Sequence, residues 1–135
     1  MSVLIFQDTY LSLYHDDALS CIYADWIGFQ TLATVQEGCE RLLEEMVQHN
    51  CFKILNDNTH VEGIWSSAAE WVGTDWFPRM RQAGMSCFAW VYSPSMFSRL
   101  SADKSLRFTY DTTGIEVFEN LEAAKAWLSK PTLNT

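Results

Sequence analysis

The chain has 135 residues, 48% apolar and 19% charged, with six tryptophans, eight phenylalanines and a formal net charge of −8. This balance suits one globular domain spanning residues 1–135 around one hydrophobic core, and it excludes a disordered chain. The acidic excess argues against a nucleic-acid groove and against binding to an anionic membrane, both of which need clustered Lys and Arg.

No apolar run approaches the ~20 residues that a bilayer-spanning helix needs. The opening Met1-Ser2-Val3-Leu4-Ile5-Phe6-Gln7-Asp8 lacks the basic region of a signal peptide. Cys21, Cys39, Cys51 and Cys87 show no paired CxxC spacing, so neither a zinc site nor a thioredoxin-like motif is expected. Each lies in or beside an apolar pattern, where a free thiol packs as a small hydrophobe. A cytoplasmic protein with reduced thiols and no cofactor is the expectation.

Tyr10-Leu11-Ser12-Leu13-Tyr14 alternates as a strand does, Asp16-Asp17 marks a turn, and residues 18–27 resume an extended pattern. An antiparallel hairpin follows from this. Gly28 breaks the second strand, and Thr34-x-x-Glu37 has the form of a capping box. Val35, Cys39, Leu42, Leu43, Met46 and Val47 then recur at helical spacing, opposed by a charged face, to an end near Asn50.

Phe52-Lys53-Ile54-Leu55 reads as a short buried strand, and Asn56-Asp57-Asn58-Thr59-His60 as the loop after it. Ser67-x-x-Glu70 offers a second capping box for a helix that runs to Gly84. Pro78 falls inside that helix, so a break near Thr74 is expected. Residues 85–92 form another buried strand and 95–100 a short helix. Ile115-Glu116-Val117-Phe118 is a last strand, and Asn120 caps a final helix that stops before Pro131. Strands alternating with helices imply an α/β fold whose sheet is largely parallel after the hairpin.

This order of elements resembles the SpoIIAA-like family of small bacterial domains, related to STAS and Sec14 domains. The likeness covers nearly the whole chain. It is carried by Trp65, the segment Glu70-Trp71 to Asp75-Trp76-Phe77-Pro78, the turn Ala83-Gly84-Met85, and the tail Val117-Phe118-Glu119-Asn120-Leu121-Glu122-Ala123-Ala124-Lys125-Ala126-Trp127-Leu128. It implies a mixed sheet of about five strands, packed with about four helices. Anti-sigma-factor antagonists of this fold carry a phosphorylatable Ser before a Gly at the strand-to-helix loop. The matching loop here has no Ser-Gly pair, and its hydroxyls are Thr59 and, further on, Ser66. The Sec14-related branch implies binding of a small apolar ligand or lipid by analogy.

Three groups of side chains compete for a function. Asp57, His60 and Glu62 have the chemistry of metal ligands or of an acid–base pair, against the simpler reading of an Asx-turn beside a solvated His. Thr59, Ser66 and Ser67 lie where a phosphate could meet a helix N-terminus, although capping already explains Ser67. Trp65, Trp71, Trp76, Phe77 and Trp90, with Phe97 as a neighbour, supply either core or an interaction surface. Trp71 and Trp76 stand five apart, which no straight helix places on one face.

The resulting expectation is a non-enzymatic regulatory or protein-interaction module of STAS type. It would act through Asp57, Asn58, Thr59, His60, Trp65, Trp71, Trp76, Phe77 and Phe97, docking a protein partner or a second copy on exposed Trp. The alternatives are a domain that binds a small apolar ligand or lipid between the aromatic helix and the sheet, and a metal-assisted enzyme using Asp57, His60 and Glu62. The first choice requires no catalytic residue and no metal.

Overall fold

A computed structural model of the chain describes residues 2–130. Six strands form one sheet in sequence order: β1 (Ser2–Gln7), β2 (Leu11–Asp16), β3 (Cys21–Phe29), β4 (Lys53–Glu62), β5 (Cys87–Val91) and β6 (Ile115–Phe118). The first three pair antiparallel and the rest parallel. The sixth strand, relative to the five expected, is β1. Its apolar run is too short for periodicity to distinguish, and it gains its identity by pairing with β2.

The helices are α1 (Leu32–Gln48), α2 (Ser66–Trp71), a π-helical segment (Val72–Trp76), α3 (Phe77–Gln82), α4 (Met96–Arg107) and α5 (Leu121–Leu128). Because α2, the π segment and α3 are continuous, they count as one of four helices. Strand order advances in one direction from β3 to β6, so right-handed crossovers all fall on one face of the sheet. There α1, the broken helix and α4 cover the large core, while α5 alone covers the smaller core on the opposite face. None of the helices is long and apolar enough to cross a membrane among the described residues.

Two expected capping boxes are corrected. The box at the start of α1 is Thr31 with Thr34, whose side chains bond each other's backbone N–H groups at 3.2 and 2.8 Å. Thr34 also donates to Gln30, which fixes it one turn before the expected start. Ser67 and Glu70 form no box: Trp65 is the N-cap of α2, without a side-chain cap bond. At the C-terminus of α1, Asn50 takes the left-handed conformation (φ +50°) that ends a helix. The last strand and the Asn120 cap stand where the sequence places them, Asn120 Oδ1 accepting from the Ala123 N–H at 2.8 Å. Pro131 lies outside the described residues.

The helical break arises before Pro78, in a π turn. Residues 72–76 widen the helix, which moves Trp76 by one residue relative to Trp71. Trp76 can then enter the core while Trp71 stays half-buried beneath Arg79, whose guanidinium lies 5.8 Å from its ring. Pro78 is the second residue of α3, directly after the π segment.

Candidate functional site

The expected polar loop is a strand. β4 continues from Lys53 to Glu62, and Asn56, Asp57 and Asn58 are buried within it. Side chains that look like loop residues are tolerated because each has a built-in partner. On the large face Trp26 Nε1 donates to Asn56 Oδ1 at 2.8 Å, and Asn56 Nδ2 donates to Asn58 Oδ1 at 3.4 Å. On the other face Tyr23 Oη donates to Asp57 Oδ2 at 2.7 Å. Burial first, and then the Asp57 carboxylate, push the Tyr23 phenol well above its ordinary range, so it stays a donor.

The expected Asx-turn chemistry does occur, but inside the sheet. Asp57 Oδ1 accepts from the Thr59 N–H at 2.9 Å and from the Thr59 hydroxyl. This local bond coincides with a β-bulge: Asp25 pairs with Asp57 and Ile27 with His60, so two steps on β3 face three on β4. The bulge sends neighbouring groups to different partners. His60, exposed, has its Nδ1 3.2 Å from Asp25 Oδ1, while Asp57 is 2% exposed and engaged with Tyr23 and Thr59. Asp57, His60 and Glu62 therefore do not converge, and no three His, Cys, Asp or Glu side chains among the described residues are placed to hold a metal ion. Thr59 is exposed with its hydroxyl on a carboxylate, and Ser66 begins α2 half-buried.

The expected aromatic surface is interior. Trp65 (6% exposed), Trp76 (2%) and Phe77 all belong to the large core, because each indole N–H finds a partner there. Trp65 Nε1 donates to Ser98 Oγ at 3.1 Å, and Trp76 Nε1 donates to the Cys39 carbonyl at 2.9 Å. Trp90 is different: it stacks on Trp65 and meets Phe77 and Phe88 edge-on, and its N–H has no hydrogen-bond partner among the described residues. Trp65, Trp76, Phe88 and Trp90, with Trp26 and Asn56, line a cavity of about 30 Å³ between the sheet and helices. That is room for about one water, against roughly 300 Å³ or more for an ordinary small-molecule pocket.

The apolar surface lies elsewhere, at the carboxyl ends of the parallel strands. Phe97 is 60% exposed and Phe29 67%, and Leu32, Ile64, Met96 and Leu100 are exposed with them. The reason is an inverted helix. α4 buries its small residues Ser98, Ser101, Ala102 and Ser105, and turns Met96, Phe97 and Leu100 outward. Small residues let α4 approach α2 and the π segment closely: a Cβ on Gly73 would come within 2.5 Å of the Ser105 carbonyl oxygen. The Trp65 N–H donates to Ser101 Oγ at 3.0 Å, which brings α4 beside Ile64. Phe29 lies over Gly63, the neighbour of Ile64 in the chain, where a Cβ would stand 2.8 Å from its ring.

Sequence reasoning named Phe97 and missed Phe29, Ile64, Met96 and Leu100. The serines at 98, 101 and 105 were the available signal, since their helical spacing marks the packed face of α4.

No curated protein matches the chain. A solved structure that it resembles is an uncharacterised protein of the DUF3478 family, with a SpoIIAA-like fold, from Shewanella loihica PV-4. The two share 17% identity over 95% of this chain and 92% of the other, with a TM-score of 0.46. The model of the SpoIIAA-like family matches residues 21–129, from the start of β3 to the end of α5. The chain thus belongs to the SpoIIAA-like family.

Proposed function

We propose that the chain is a non-enzymatic regulatory module that docks a protein partner on the surface around Phe97. The observation that carries this reading is the inversion of α4, which packs by its small side chains and leaves Met96, Phe97 and Leu100 in water, with Ile64 and Phe29 exposed as well. Exposing large apolar groups together is costly in water and characteristic of interaction sites. The position agrees with the rule that open α/β sheets bind at the carboxyl ends of their strands. The apolar-ligand alternative has less support, because the aromatic cavity beneath the helices is about a tenth of an ordinary pocket's roughly 300 Å³.

Native mass spectrometry of protein purified from its own host tests the proposal. An assembly with wild-type chain that disappears in Phe97→Ser is the expected result. A monomer in both cases, carrying a noncovalent small-molecule adduct, would turn the assignment to ligand binding.

A further inference from the structure

We infer that the partner brings a cationic side chain, Lys or Arg, which seats between Asp25 and Glu62 in the groove next to the Phe97 surface. This deepens the docking reading and rests on it. The groove, of about 870 Å³, runs along the carboxyl ends of β3 and β4 against the turn before α4. Ile27, Val61 and Pro94 give it apolar walls, and Asp25, Glu62 and His60 supply its titratable groups. Among the described residues no Lys or Arg lines it.

The charge of the site has a structural cause. Four of the arginines are held in ion pairs elsewhere: Arg41 with Glu45, Arg79 with Asp75 and Glu40, Arg81 with Asp111, and Arg99 with Glu119. Among the described residues that line the groove, His60 is the one basic side chain, its Nδ1 3.2 Å from Asp25 Oδ1. Burial raises the Asp25 pKa, the His60 contact lowers it, and the charge of Asp57 raises it again. An incoming cation would favour the ionised form.

A second copy fits less well, because the chain carries −8 overall and two copies would bring like charges together. A partner with apolar residues flanking a basic one satisfies both halves of the surface. The apolar residues cover Phe97, Ile64 and Phe29, and the cation occupies the groove.

The test is an NMR titration of the ¹⁵N-labelled full chain with two synthetic peptides of equal length, at low and at physiological salt. One alternates Leu and Phe with Arg; the other replaces every Arg by Glu. The Arg peptide should shift the amides of Asp25, His60 and Glu62 and lose about fivefold in affinity for Asp25→Asn/Glu62→Gln. Phe97→Ser should weaken either peptide. Equal binding of both peptides, still weakened by Phe97→Ser, overturns the cationic partner and leaves the docking surface standing. If neither peptide binds, or if Phe97→Ser changes nothing, the docking reading fails as well. Concentration-dependent self-association that strengthens in Asp25→Asn/Glu62→Gln would make a second copy the occupant and also overturn the inference.

Discussion

The two faces of the sheet solve the same burial problem with different materials. The large face is filled by Trp26, Trp65, Trp76, Phe77, Phe88 and Trp90, under three helical layers of unequal length. The small face holds Cys21, Leu55, Cys87, Ala89 and Val91 under α5 alone, with Ala124 and Leu128 as its buried contacts. β4 serves both. Asn56 and Asn58 point into the aromatic side and hydrogen-bond with Trp26 and each other, while Asp57 points to the other side and is satisfied by Tyr23 and Thr59. A central strand can carry three successive polar side chains because each face supplies its own donors. Bulky rings do not tile perfectly, and the price of the large face is its small cavity and the orphan N–H of Trp90.

If stability is concentrated in the aromatic face, Trp76→Ala should be the most damaging change, at about 3–5 kcal/mol by urea denaturation. It removes ring contacts with Phe77 and Phe88 and the indole hydrogen bond to the Cys39 carbonyl. On the small face, Leu128→Ala should cost about 2–3 kcal/mol. A loss equal to that of Trp76→Ala would mean that α5 is as central as the aromatic layer, and the contrast would fail.

Asp57→Ala tests the strand between the two faces. It strands the Tyr23 hydroxyl and removes the Thr59 contacts, so a loss of about 1–3 kcal/mol is expected. The same change should shift backbone amide resonances around the bulge, from Asp25 to His60. Phe97→Ser sharpens the comparison from outside, since it should change stability by no more than about 0.5 kcal/mol while removing partner docking. A destabilisation of several kcal/mol there would show that Phe97 packs as core.

A smaller, pH-dependent effect distinguishes the thiol-bearing face. Burial, then Asp16 and Cys51, push the Cys21 thiol from 9.0 up to about 12. Below pH 9.0 the thiol is protonated in both folded and unfolded chains and contributes no pH dependence. Between 9.0 and about 12 only the unfolded chain releases the proton, so stability falls as pH rises through that window. Cys21→Ala should flatten this part of the decline in a pH series of urea midpoints. An unchanged slope would mean that Cys21 is not the sensor.

Much of the architecture was legible locally. The periodicity of α1, the apolar runs of β4 and β5, the β6 strand and the Asn120 cap all encode their own conformation over a few residues. The family resemblance was carried by the order of elements together with Trp65, the segment from Glu70 to Pro78, the turn Ala83-Gly84-Met85 and the tail from Val117 to Leu128, and the match over residues 21–129 agrees with it. The candidate site was less so. Asn-Asp-Asn-Thr-His has the composition of a loop, and only strands on both sides and donors on both faces hold it as β4. Tryptophan spacing suggested surface as readily as core, because an indole N–H has no fixed place until a carbonyl or hydroxyl is positioned for it.

The sequence by itself therefore determined the alternation of strands and helices, the helical break near Thr74 and the capped C-terminal helix. Those depend on local pattern and turn chemistry, which neighbouring residues carry. Only the tertiary structure decided which aromatics are inside, that a polar pentapeptide is a central strand, and that α4 packs by its serines with Phe97 in solvent. Those outcomes depend on partners 30 or more residues away, such as Asn56 for Trp26 and Ser98 for Trp65. No local pattern contains such a pairing, because each residue's free energy depends on the surface that the rest of the fold brings to it.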